Sequence, residues 1–299
     1  MSTEPQLVPG AYARILDEEL AELLQANDEL LATLRKMDDE EQPQQYGMFV
    51  ARLLDAALPQ YRPDERVALV NRFIELIGAR DGMDYLLKRK ILSSHELVTS
   101  VHRKPPFGEP WPLPQTSLNS SYLLTGTPGT PSLEHELRQE MRSADRVDIL
   151  VSFIKYSGLR LLMAAFDELA ERSVPIRIIT TSYMGASDPN AIAWLVRCSN
   201  VQLKVSYDTE KTRLHAKAYQ FYRNTGYSTA YIGSANISRA AITSGLEWTV
   251  KVTEHDQPGL LRQFRGEFEG YWENENFETC REENLDRFEK NYKKFQDMN

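Results

Sequence analysis

The sequence is poor in several features that would direct its reading elsewhere. It has two cysteines in 299 residues, Cys198 and Cys280, far apart and without His or Cys neighbours. That excludes a disulfide framework and a structural zinc site, and it fits a reducing, cytoplasmic setting. No run of about 18 apolar residues occurs, so no membrane span and no membrane partner are expected. The opening MSTEPQLVPGAY lacks the basic start and apolar stretch of a secretory leader. No Walker A phosphate loop is present, so no helicase motor lies within these residues. An excess of positive charge is missing too: the net charge is -8. The deficit is uneven. Residues 1–60 carry 12 acids against 4 bases, and residues 250–299 carry 12 against 8, which leaves 23 bases and 19 acids between them. An acidic average argues against a nucleic-acid partner, but a locally basic middle permits one.

What is present divides along the chain. The first hundred residues have helical spacing. Ala13 to Leu34 places leucines and Ile15 three and four apart, a second helix is expected over Tyr46–Leu58, and a third runs from Pro63 to Ile77, stopped by Gly78. Residues 104–131 are punctuated throughout by proline and glycine, so the domain boundary is placed near Thr116. The pattern then changes. A helix over Leu133–Ser143 precedes an apolar run at 147–154, a helix at Gly158–Arg172, a strand at Pro175–Thr181, a helix at Pro189–Cys198 and a strand at Val201–Ser206. This alternation predicts an α/β domain, a sheet with helices packed on it, behind an all-helical N-terminal domain. The divisions expected are 1–115 for the helical domain and linker, 116–275 for the α/β domain, and 276–299 for a charged helical tail.

The stretch that carries chemistry is 213–250. Two runs rich in aromatic and β-branched residues flank Asn224-Thr225-Gly226-Tyr227, a hairpin signal. A two-residue loop at Thr225-Gly226 would set His215 opposite Asn236 and Lys217 opposite Ser234, all on one face. Ser238 is a fitting cap for a short helix over Arg239–Ser244. Glu247, opening a strand over Leu246–Val252, would bring a carboxylate toward the imidazole and fix its tautomer. Tyr183, in the loop after the strand that ends at Thr181, is a candidate substrate contact. Lys211 and Arg213 are further candidates, within a basic cluster that includes Lys204, Lys217 and Arg223 and suits a nucleic-acid backbone.

His215-Ala-Lys217, then Gly233-Ser234-Ala235-Asn236, then Glu247, resembles the signature of the phospholipase D superfamily. Ser143-Ala-Asp-Arg-Val-Asp148, Ser152-Phe-Ile-Lys-Tyr-Ser-Gly158, Thr180-Thr-Ser-Tyr-Met-Gly185 and Gly245-Leu-Glu-Trp248 are similar to the phospholipase D-like domain found ahead of some bacterial DEAD/DEAH-type helicases. The resemblance covers roughly residues 132–275. It implies a phospholipase D-like mixed sheet flanked by helices, and phosphodiester hydrolysis that needs no metal and no other cofactor. His215 would attack phosphorus, Lys217 and Asn236 would hold the non-bridging oxygens with support from Ser234, and Glu247 would orient the histidine.

The chain carries a single motif, so the histidine that protonates the leaving oxygen would come from a second subunit of a homodimer. The implied partner is nucleic acid, DNA ahead of RNA, together with a helicase on the same or another polypeptide, in bacterial defence or restriction. Two departures stand out. Tyr222 occupies the position of the family Asp, and His215 and Asn236 are further apart in sequence than is usual. The alternative is a nucleic-acid-binding or assembly module without turnover. A lipid phosphodiesterase is disfavoured by the lack of an anchor and of a second motif. His102-Arg103-Lys104 repeats the HxK pattern with no GSxN of its own, and His95, His135 and His255 read as surface residues.

Overall fold

The computed structural model describes residues 7–92, 95–106, 108–207, 214–243 and 245–297. They fall into two units, Met1–Val98 and Thr99–Asn299. The first contains helices α1 (Glu18–Gln25), α2 (Gln42–Ala57) and α3 (Pro63–Gly78). The helix expected over Ala13–Leu34 is therefore cut to eight residues. Asp17 starts it by accepting from the Leu20 N–H at 2.9 Å. Just beyond its end Asn27 accepts from the Glu29 N–H at 3.2 Å, a local side-chain bond that competes with helix continuation. α3 starts at Pro63, where the missing N–H costs nothing, and Glu65 accepts from the Arg62 N–H at 3.0 Å. Leu20 and Gly78 are the buried residues of this unit among those described, while Leu31, Leu34 and Leu76 are exposed.

The second unit is built on one sheet. Its strands are β1 (Tyr122–Leu124), β2 (Arg146–Val151), β3 (Ile176–Thr181), β4 (Val201–Ser206), β5 (Lys217–Tyr222), β6 (Thr229–Gly233), β7 (Thr249–Thr253) and β8 (Phe277–Cys280). The order is β1-β7-β6-β5-β2-β3-β4-β8. β2, β3 and β4 run parallel, and every other neighbouring pair is antiparallel. The helices are α4 (Leu133–Ser143), α5 (Tyr156–Glu171), α6 (Pro189–Arg197), α7 (Arg239–Thr243), α8 (Pro258–Glu273) and α9 (Leu285–Gln296). Alternation along β2 sends Val147, Ile149 and Val151 into the main core with α4, α5, α6, α7 and α9. Leu150 points to the other face, where α8 covers it through Phe268. The mixed sheet flanked by helices is the architecture expected. The stretch set off as a tail, 276–299, supplies the edge strand β8 on β4 and packs Phe288 of α9 into the main core.

A buried ionic cluster ties α4 to the antiparallel half of the sheet. Glu140, fully buried, pairs with Arg223 at 2.5 Å and Lys251 at 3.0 Å, and accepts from Thr229 and Tyr231, each at 2.8 Å. Burial alone works against its charge, but Arg223 and Lys251 hold the Glu140 carboxyl down at about 2. On the opposite face Asp148 receives both the Nε and Nη2 of Arg177, each at 2.8 Å, and Arg177 also reaches Glu269 of α8 at 2.7 Å.

Candidate active site

The motif residues gather where the parallel strands end, the edge at which open α/β sheets place their sites. β5 starts there with Lys217, paired to Val151 at the end of β2. Lys217 is buried, and its ammonium donates to the His215 carbonyl at 2.6 Å. Burial lowers the Lys217 pKa, with the negative charge of Glu247 working the other way. His215 lies two residues before the strand, exposed at this edge, and its imidazole makes no hydrogen bond among the described residues.

The segment after β6 divides its residues between two neighbours. Ser234 stays with the β7 side: its N–H donates to the Trp248 carbonyl at 3.2 Å, its Oγ accepts from the Trp248 N–H at 3.3 Å, and its hydroxyl donates to Glu247. Ala235 is buried, with its carbonyl accepting from Tyr219 at 2.8 Å. Asn236 turns toward β2. The Phe153 N–H reaches its side chain at 3.1 Å, and since that group only donates, the atom it meets is Oδ1. The Nδ2 amide is left to donate elsewhere. The Lys155 N–H then donates to the Ile237 carbonyl at 2.7 Å.

The glycine of GSxN is required by packing, because a Cβ at Gly233 would overlap the Trp248 carbonyl and stand 2.7 Å from the Thr249 Cα. Gly158 serves similarly: a Cβ there would meet the Ser238 backbone at 2.6 Å.

Three expectations are corrected. The hairpin register pairs Ala218 with Ile232 and Tyr219 with Tyr231, so Lys217 aligns with Gly233 rather than Ser234. A one-residue shift moves side chains to the other face. Its cause is a longer connection: Gly226 closes a turn on the Arg223 carbonyl at 3.1 Å, and Ser228 Oγ accepts from the Arg223 N–H at 3.2 Å, while the Arg223 side chain is held by Glu140. The strand expected over Leu246–Val252 begins at Thr249, so Glu247 sits in the lead-in. The basic cluster is also dispersed. Arg223 is committed to Glu140 at the far end of β5, and Lys204 donates to the Trp272 carbonyl.

Lys211 and Arg213 lie outside the described residues. Tyr183 follows β3 at the same edge, in a turn whose Gly185 packs against Tyr292 and Phe295 of α9. His95, His102, His135 and His255 are exposed. Among the described residues no group of three or more His, Cys, Asp or Glu is arranged to hold a metal ion. Sequence reasoning missed Phe153 as the anchor of Asn236. The contact is between backbone and side chain across 83 residues, and no side-chain pattern announces it. Tyr222, at the family Asp position, lies at the opposite end of β5, about 16 Å from Lys217 at strand rise. Its ring sits under Arg146 at 3.8 Å and Arg265 at 4.9 Å.

Residues 131–268 match the model of the family described as the NgoFVII restriction endonuclease N-terminal PLD domain. The match supports the phospholipase D superfamily for this stretch. The matched residues run from α4 into α8 and contain every motif residue described above. Among solved structures, NucT from Helicobacter pylori is 16% identical, covers 54% of this chain and 99% of its own, and gives a TM-score of 0.42. Nuc from Salmonella typhimurium, a phospholipase D family member, is 18% identical over 54% of this chain and 99% of its own, with a TM-score of 0.40. Phosphatidylserine synthase from Haemophilus influenzae is 14% identical over 60% of this chain and 45% of its own, with a TM-score of 0.42. No curated protein matches the chain.

Proposed function

We propose that this protein is a phosphodiesterase acting on nucleic acid, DNA ahead of RNA, without a metal ion. The observations that support the reading are a buried Lys217 at the start of β5, two residues after His215, and an Asn236 amide whose oxygen is already committed to the Phe153 N–H. Both side chains carry N–H donors, and both residues lie toward the edge where β2 ends, Lys217 paired with Val151 and Asn236 bonded to Phe153. Such donors stabilise negative charge growing on a phosphoryl group. A ring nitrogen of His215 attacks phosphorus, the bond to the leaving oxygen breaks, and a phosphohistidine forms. Water then cleaves the phosphorus–nitrogen bond and restores the imidazole. The proton for the leaving oxygen comes from His215 of a second copy, in a twofold dimer that uses the same patch on both chains. Glu247 acts through Ser234, which it holds by a hydrogen bond.

Bacterial defence suits the description of the matched family as a restriction endonuclease domain. A helicase partner rests on the sequence resemblance. One observation favours a binding or assembly module instead: Glu247 accepts from Ser234, and no bond from it to the His215 imidazole is found among the described residues. The deciding experiment is cleavage of labelled single- and double-stranded DNA and RNA in EDTA, with wild type and His215→Ala side by side. Chelator-resistant cleavage that disappears in the variant supports the nuclease. Binding by both proteins without cleavage by either supports the module.

A further inference from the structure

A cavity of about 430 Å³ opens beside Glu247, between the 126–132 loop, α7 and the lead-in to β7. Glu247 forms part of its lining, so the cavity is contiguous with the Ser234–Glu247 pair. Its walls include Leu124, Ile242 and Leu246, and Thr130 lines it from the exposed loop. Thr249 lines it as well, is only 2% exposed, and its hydroxyl finds no hydrogen-bond partner among the described residues. A buried hydroxyl without a partner is costly, and a ligand that supplies one removes that cost. The size falls at the low end of small-molecule sites and is enough for a flat heterocycle.

We propose that this cavity receives one unpaired nucleobase next to the phosphodiester held at Lys217 and Asn236. Apolar walls suit the face of a base, and the Thr249 hydroxyl suits its hydrogen-bonding edge. A base inside a duplex cannot enter, so the substrate is single-stranded or locally opened nucleic acid. The inference rests on the nuclease reading for its substrate, but its test does not require cleavage.

The test uses the full chain carrying His215→Ala, so that no phosphodiester is cut. Fluorescence anisotropy compares a labelled single-stranded oligonucleotide with an abasic phosphodiester of equal length and charge. The oligonucleotide is expected to bind about tenfold tighter. Adding Thr130→Phe, which fills the cavity from its exposed loop, is expected to bring that ratio near one. Thr249→Val is expected to keep the melting temperature, because the hydroxyl has no protein partner to lose, and to change the order of preference among oligo-dA, oligo-dC and oligo-dT. A ratio near one in the parent protein overturns the proposal. So does a ratio and an order of preference that both substitutions leave untouched. If wild type cuts nothing while the parent keeps its preference for bases, the nuclease reading falls and the base site stands.

Discussion

In the proposed mechanism Asn236 combines two tasks that substitution can separate. Its Oδ1 secures the Phe153 N–H, and its Nδ2 is assigned to the phosphoryl oxygen. Asn236→Asp keeps the acceptor, loses the donor and adds a negative charge. It should lower cleavage by about 10²-fold or more while the melting temperature stays within a few degrees. Asn236→Ala also orphans the Phe153 N–H, and should cost about 1–3 kcal/mol of stability in urea unfolding besides the activity. In the proposed mechanism Lys217 works only when charged, and burial places its pKa below the ordinary 10.5. The basic limb of the pH–rate profile should therefore fall below that value, and Lys217→Arg should move the limb upward. The candidate residues His215, Lys217, Ser234, Asn236 and Glu247 stand out in the sequence through the short patterns His215-Ala-Lys217 and Gly233-Ser234-Ala235-Asn236 and their resemblance to a known signature. Phe153 was not, because its part is played by a backbone group.

At the scale of elements, the Glu140 cluster decides how α4 sits on β5, β6 and β7. Glu140 has a folded pKa of about 2 against an ordinary value of 4.5. A depressed carboxyl stabilises the fold above its unfolded pKa and loses that contribution as pH falls from 4.5 toward 2. The loss should be about 3 kcal/mol, read from urea unfolding across this window. Glu140→Gln should flatten that slope, and at neutral pH should destabilise by about 3–5 kcal/mol by leaving Arg223 and Lys251 uncompensated. A turn signal such as Asn224-Thr225-Gly226 determines that a hairpin forms, and the register, with Phe221 opposite Thr229, shows a connection longer than two residues. Gly158→Ala tests another element contact. It should separate α5 from the Ser238 backbone, cost about 1–3 kcal/mol in thermal unfolding, and lower cleavage with it.

At the scale of the whole molecule, the two units differ in how they bury apolar surface. Met1–Val98 has almost no buried residue among those described, whereas Thr99–Asn299 encloses cores on both faces of its sheet. Residues 99–299 should therefore unfold cooperatively when expressed alone, measured by circular dichroism on heating. The proposed dimer predicts a solution mass near twice 34.3 kDa for the full chain, measured by light scattering. An elution at the single-chain mass, with cleavage retained, would remove the shared-site mechanism.

The sequence by itself determined the helical start, the alternation of strands and helices from residue 132 onward, and the identities of the motif residues. Each of these is written in local periodicity or short spacing, which a chain expresses without reference to distant partners. The tertiary structure alone decided the hairpin register, the dispersal of Lys204 and Arg223, the recruitment of Phe277–Cys280 as an edge strand, and the cavity beside Glu247. These depend on contacts between residues far apart in the chain. Their energies come from burial and from satisfying buried polar groups, and neither exists until the sheet has formed.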